Sequence, residues 1–288
     1  MQVRDILTQP DLSLTPSEQR VVQVLLNEYP IAGLESASNL ARKAAVSDPT
    51  ITRLITKLGF TGFAQFQASL LGEVEERLRS PLMMIDAKRG VRADEDRTQT
   101  LLRSVARTVD EAANAMLKPA YDRAAELILE SKGRAFVLGG RFSRHVGGML
   151  AAYLHQLRPR VTDVGALADE SFDLLLDVDR RDVLVVFDYR RYQNNVIRFA
   201  WQASERGARI VLFTDIWMSP IAEIAETVII SQVEVESPYD SLAAPVAQME
   251  ALVACCLDRA DDKVRNRVQS LDAIRSLNAV TVDTSVEE

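Results

Sequence analysis

Two rhythms of apolar residues divide the chain. Between residues 15 and 79 apolar positions recur at helical spacing. Thr15-Pro16-Ser17-Glu18 forms a capping box, with a hydroxyl at the N-cap, Pro at the first helical position and Glu three residues after the cap. Val21, Val22, Val24, Leu25 and Leu26 then give that helix its buried side. Further helices are predicted over residues 35–44, 49–58 and 63–79, and Gly59 and Gly62 punctuate the last gap.

From Arg134 onward the rhythm changes. Short unbroken apolar runs at 135–138, 183–187, 210–213 and 228–230 read as strands, with a weaker one at 160–164. Amphipathic stretches at 143–157, 192–205 and 219–225 fit helices between them, and a long last helix is predicted over 241–271. β-branched runs separated by helices indicate a parallel sheet covered on both faces. Upstream of the first strand, Leu101, Leu102, Val105, Val109, Ala112, Ala113, Met116 and Leu117 lie at helical spacing; that helix stops at Pro119, and another runs to about Ser131. Residues 80–98 mix Pro, Gly and charge and read as a linker. The expected organisation is multidomain: an all-helical domain over 1–79, the linker, and a doubly wound parallel-sheet α/β domain over 99–288.

A chain of 288 residues, 47% hydrophobic and 26% charged, fits two domains or one large one and has enough apolar mass for a sizeable core. No apolar run is long enough to span a bilayer, so no membrane partner is expected. The first ten residues carry Asp5 and no apolar stretch of signal-peptide type. Cys255 and Cys256 are neighbours, poorly placed for a disulfide and too few for a metal site, which suggests a reducing, cytoplasmic setting. The net charge of −7 is unevenly spread. Within residues 36–58, Arg42, Lys43, Arg53 and Lys57 face only Asp48, a local excess able to meet phosphates while the rest stays acidic.

That basic window contains the sharpest motif, SASNLARKAAVSDPTITRLITKLGF. A helix-turn-helix needs a small residue where its helices cross, apolar inner faces and a tight turn. Ala41 is the small residue; Leu40, Ala44, Val46, Ile51 and Leu54 face one core; Ser47 suits the N-cap of the second helix and Pro49 its first turn. Asp48, Thr50, Thr52, Arg53 and Lys57 are left outside or at the leading end, where such groups hydrogen-bond bases and phosphates. At the turn, Ala45 stands where Gly is common because the residue tends to be left-handed, at a cost of about 1 kcal/mol. The same spacing also fits a plain three-helix packing unit.

The stretch V-S-x-x-T-I-x-R-L-x-x-K-L-G-F-x-G-F-x-x-F, from Val46 to Phe66, resembles the N-terminal domain of the RpiR/MurR family of bacterial transcriptional regulators. The resemblance implies a C-terminal sugar-isomerase (SIS) domain, and it places Ser47, Thr50, Arg53 and Lys57 at DNA. It further implies an effector bound to the SIS domain; a homodimer or homotetramer is expected because specificity with one short recognition helix usually requires two half-sites. A palindromic operator is expected, because one recognition helix reads few base pairs.

In the α/β half, two strand-to-helix loops are candidate ligand sites. Leu138-Gly139-Gly140-Arg141-Phe142-Ser143-Arg144 resembles the family's G-x-G-x-S turn, with Arg141 in place of the second Gly. Asp188-Tyr189-Arg190-Arg191-Tyr192-Gln193 occupies the place of an S-x-S-G-x-T phosphate loop but carries none of its hydroxyls. The ligand-binding expectation covers Gly139, Gly140, Arg141, Ser143, Arg144, Asp188, Arg190 and Arg191, with an anionic sugar-phosphate or sugar-acid effector held by guanidinium groups. Alternatively, these arginines pair with Asp188 and with surface acids such as Asp179 and Asp182.

A sugar-phosphate isomerase is the competing class, since SIS domains occur in enzymes. It would need an acid and a base converging on one carbon. His145 and His155 lie ten residues apart on one predicted helix and cannot converge, and no spacing singles out Glu236 or Glu250 as a base. No phosphate-binding P-loop, metal-ligand cluster, nucleophile elbow or cofactor motif is present, so no catalytic residue and no cofactor is expected.

Overall fold

The computed structural model describes residues 3–7, 13–78 and 97–280. They belong to two compact units, Met1–Met84 and Ile85–Glu288. The expected linker lies outside the described residues except for its last two, which already start a helix.

The first unit is all helix: α1 (Val3–Leu7), α2 (Pro16–Asn27), α3 (Ile31–Leu34), α4 (Ala37–Lys43), α5 (Asp48–Lys57) and α6 (Phe63–Leu78). The capping box forms as the sequence requires. The Glu18 N–H donates to the Thr15 hydroxyl at 3.4 Å, and the Thr15 N–H donates to the Glu18 carboxylate at 2.8 Å. Val21, Leu25, Leu40, Ile51, Leu54, Ile55, Phe66 and Leu70 make the core. Burying each such side chain contributes roughly 1.5–3 kcal/mol. The sequence pattern misses α1 and α3, each too short to show an apolar face; the Val3 N–H reaches the Glu73 carboxylate at 2.6 Å.

The second unit opens with α7 (Arg97–Asn114) and α8 (Lys118–Glu130). The sheet segment follows as β1 (Ala135–Gly139), α9 (Arg144–Leu157), β2 (Val161–Gly165), β3 (Val183–Phe187), α10 (Asn194–Glu205), β4 (Arg209–Asp215) and β5 (Thr227–Ser231). Two helices, α11 (Ala243–Asp258) and α12 (Asp262–Leu277), close the described chain. All strand pairs are parallel, in the order β2-β1-β3-β4-β5. Both faces are covered, which explains the unbroken apolar runs. Val183, Val185 and Phe187 pack among α8, α9 and α11 side chains such as Leu127, Leu150 and Leu252; Leu184 and Val186 pack on the other face with Phe199, Ala203 and Ile221.

Four expectations change. The single last helix is two, because Asp261 caps a new one: its carboxylate accepts the Lys263 and Val264 N–H groups at 3.0 and 3.1 Å. The helix expected over 219–225 is one 3-10 turn, Pro220–Glu223. An unpredicted 3-10 segment, Asp169–Asp177, links β2 to β3. Finally, α7 turns Ser104, Thr108 and Ala112 inward and leaves Leu102 63% exposed, against the apolar face expected. The Ser104 and Thr108 hydroxyls donate to Leu101 O and Val105 O of their own helix, both at 2.8 Å, so they are buried at little cost.

Candidate DNA-binding and effector sites

Helices α4 and α5 pack across the small Ala41, and the turn between them is tight: the Val46 N–H donates to Ala41 O at 2.9 Å. Ala45 takes the left-handed conformation, φ 52°, as the turn demands. The Arg20 guanidinium braces it through Ala44 O at 3.3 Å and Ala45 O at 3.5 Å. Ser47 stands at the N-cap of α5, yet its hydroxyl faces the Thr50 hydroxyl at 3.1 Å rather than a backbone N–H.

Thr50 is a correction. It is buried, not on the outer face. Three residues from Ser47, it turns inward beside Ile51 and Leu54 and spends its hydroxyl locally. Thr52 and Arg53 are exposed, and among the described residues their side chains bond to the preceding turn of their own helix, at Asp48 O and Pro49 O. Lys57 is exposed but reaches back to the Glu18 carboxylate at 2.9 Å. The Thr15 N–H, and then Lys57, hold that carboxyl below its usual range. The outward group is therefore Ser47, Thr52, Arg53 and Lys57.

In the second unit the chain passes from β1 outward to β2, then returns to β3 on the other side of β1. The strand order thus reverses between β1 and β3, the place where open α/β sheets hold ligands. Both candidate loops lie there and touch. The Ser143 hydroxyl donates to Phe187 O at 2.6 Å, the Gly140 N–H donates to Ser143 Oγ at 2.9 Å, and the Arg141 N–H donates to the Gln193 side-chain oxygen. Gly139 is required by close approach, because a Cβ there would lie 2.4 Å from the Arg144 nitrogen.

Three donors of the loops are already engaged. The Gly140 and Arg141 N–H groups and the Ser143 hydroxyl bond within the site. Arg141 is exposed, its guanidinium 5.2 Å from the Phe142 ring centroid, and Arg144 donates to Arg141 O at 2.7 Å. Arg191 is exposed.

Arg190 differs from the others. Its side chain is 5% exposed and grips Asp240 with two nitrogens, at 2.9 and 2.7 Å, while Glu234 lies 3.9 Å away. The third guanidinium nitrogen, Nη1, is buried without a hydrogen-bonding partner. The arginine pairing expected with Asp188 is therefore not the one formed. Asp188 is buried and accepts from the Ser219 hydroxyl at 2.6 Å, and the Gln193 backbone N–H also draws on its carboxyl. Burial pushes this carboxyl up to about 7, against the pull of Ser219. Asp215, at the end of β4, accepts from the Tyr192 hydroxyl at 2.7 Å and from the Arg190 and Trp217 N–H groups. Burial raises it also.

Sequence reasoning missed Asp215, Ser219 and Asp240 as site residues. Asp215 and Ser219 stand beside a strand end, a position that could have flagged them. Asp240 meets Arg190 across fifty residues, which no local pattern reveals. His145 and His155 are both exposed. Among the described residues no cluster of His, Cys, Asp and Glu could hold a metal, and no helix is long and apolar enough to cross a membrane.

A helical unit with a recognition-type helix pair, followed by a doubly wound sheet with a strand-end site, defines a two-domain regulator of the helix-turn-helix and SIS type. Residues 1–77 match the helix-turn-helix domain of the rpiR family, and residues 128–255 match the SIS domain. The chain belongs to the RpiR family of transcriptional regulators. It is 24% identical over 249 residues to the HTH-type transcriptional regulator HexR of Escherichia coli, spanning 83% of this chain and 81% of that one. It is 23% identical over 222 residues to RpiR of E. coli, spanning 76% and 72%. In fold it is similar to the sugar isomerase domain of the RpiR transcription factor from Sphaerobacter thermophilus (TM-score 0.56, 21% identity, 61% of this chain and 98% of that one). It is also similar to the Vibrio vulnificus NanR protein complexed with ManNAc-6P (TM-score 0.52, 16% identity, 98% and 100%).

Proposed function

We propose that the chain is a cytoplasmic, sequence-specific DNA-binding regulator whose DNA affinity is set by a small anionic effector, a sugar phosphate or sugar acid, held at the ends of β1 and β3. It acts as a homodimer or homotetramer on a palindromic operator. Arg53 and Lys57, four residues apart on one face of α5, meet the DNA, with Ser47 and Thr52 beside them.

The observation that carries the effector reading is Arg190. A guanidinium withdrawn from water at the strand-order reversal, with one nitrogen unpartnered, is a costly feature that an incoming oxyanion satisfies. The NanR protein of similar fold was solved with a phosphosugar, which supports the same ligand class here. The isomerase alternative finds no support in the two exposed histidines on α9.

A thermal-shift screen of phosphosugars, sugar acids and simple carboxylates tests the reading. The expected result is a ligand that stabilises the wild type and loses its effect in an Arg141→Ala/Arg190→Gln variant. Ligands that stabilise both proteins equally would move the site elsewhere, and no stabilising ligand at all would end the sensor reading.

A further inference from the structure

Arg190 and Asp240 form a costly contact in the second unit. Two ions taken out of water gain little net stability from each other, and this pair leaves Arg190 Nη1 without a partner. Asp240 is not part of a regular element. It sits in residues 232–242, between β5 and α11, and its side chain is 24% exposed. Within that segment the Ser237 N–H donates to Val235 O at 2.7 Å and the Ser241 N–H to Val233 O at 2.8 Å.

The Asp240 carboxylate meets the guanidinium fork edge-on with two parallel bonds, the way a ligand's carboxylate or phosphate would. We propose that Asp240 is a built-in competitor for the effector: it occupies the Arg190 fork in the free protein, and an oxyanion of the ligand displaces it. This rests on the strand-end reading above and adds its regulation. Exchanging one oxyanion for another at the same fork changes the energy little, so a ligand that also satisfies Nη1 can tip the balance.

The displaced segment has somewhere to report. Within it, the Glu236 N–H donates to the Ser104 hydroxyl of α7 at 3.1 Å, and Ser104 is buried. Helix α7 is the first described element after the segment leading from the DNA-binding unit. Release of Asp240 therefore loosens a contact on the helix nearest in sequence to that unit.

The test is calorimetric titration of inorganic phosphate into the full chain, comparing wild type, Asp240→Asn, Arg190→Gln and the double variant. Asp240→Asn keeps the shape and removes the competing charge. It is expected to bind phosphate at least about tenfold more tightly than wild type, a gain of about 1.4 kcal/mol, and the double variant is expected to lose that gain. Equal affinity in wild type and Asp240→Asn, with both binding more tightly than Arg190→Gln, would overturn the competitor while leaving the strand-end site intact. Phosphate binding to none of the four would overturn both. Amide exchange on the wild type needs no substitution: residues 236–242 are expected to exchange faster with phosphate bound, and unchanged exchange in a phosphate-bound protein overturns the proposal.

Discussion

At Asp188 burial outweighs hydrogen bonding. Its carboxyl is pushed up to about 7 against the Ser219 hydroxyl, so between about pH 4 and 7 the folded chain binds a proton that the unfolded chain does not. Stability from this group is fully present at the acid end of that window and is lost as pH rises through about 7, at up to about 1.4 kcal/mol per pH unit. Glu18, held low by Thr15 and Lys57, has the opposite sign and loses its contribution as pH falls. The Asp188→Asn variant keeps an acceptor for Ser219 and removes the titration. Between pH 5 and 8, its denaturation curves are expected to shift less in favour of the acid side than those of wild type; identical pH slopes would contradict the assignment. The sequence made some single residues legible and hid others. Ala45 was readable as left-handed because a helix-turn-helix turn fixes its geometry locally. The burial of Asp188 and the partner of Arg190 were not, because each depends on chain segments brought together by the sheet.

At the scale of elements, α5 separates two kinds of position within one turn. Thr50 is buried, whereas Arg53 is exposed and donates to Pro49 O of its own helix. Arg53→Ala is expected to weaken operator binding by about 1–3 kcal/mol, roughly 5- to 150-fold, with little change in melting temperature. Thr50→Ala is expected to act on stability first, by roughly 0.5–1.5 kcal/mol for the lost hydrogen bond. Gel-shift titrations at one salt concentration, paired with melting curves, check both. Unchanged DNA affinity in Arg53→Ala would remove it from the interface. Elements with a strong local signal were legible: the capping box of α2, four of the five strands and the recognition pair, while β2, only half-buried, gave a weaker one. The sequence-based helix over 241–271 failed because Asp261 caps a new helix inside a continuous helical pattern. The inward face of α7 failed because self-bonded Ser104 and Thr108 can be buried like small apolar residues.

The whole molecule joins a nearly charge-balanced helix-turn-helix unit to a more acidic SIS unit. Residues 1–80 carry 8 basic and 9 acidic side chains, near balance, while residues 81–288 carry 26 and 32. The acidic excess lies with the candidate strand-end loops; under the proposed function, DNA affinity is expected to depend on the few cations of α4 and α5 and to fall as salt rises. Family membership follows from both halves together, because neither a helix-turn-helix nor a SIS fold alone specifies a regulator. The most direct test is capture of fragmented genomic DNA from the encoding organism on the purified full chain, followed by sequencing of what is retained. Enrichment of one or a few fragments sharing a palindrome, abolished by Arg53→Ala, is the expected result. Retention of fragments without sequence preference, unchanged by Arg53→Ala, would contradict a sequence-specific regulator.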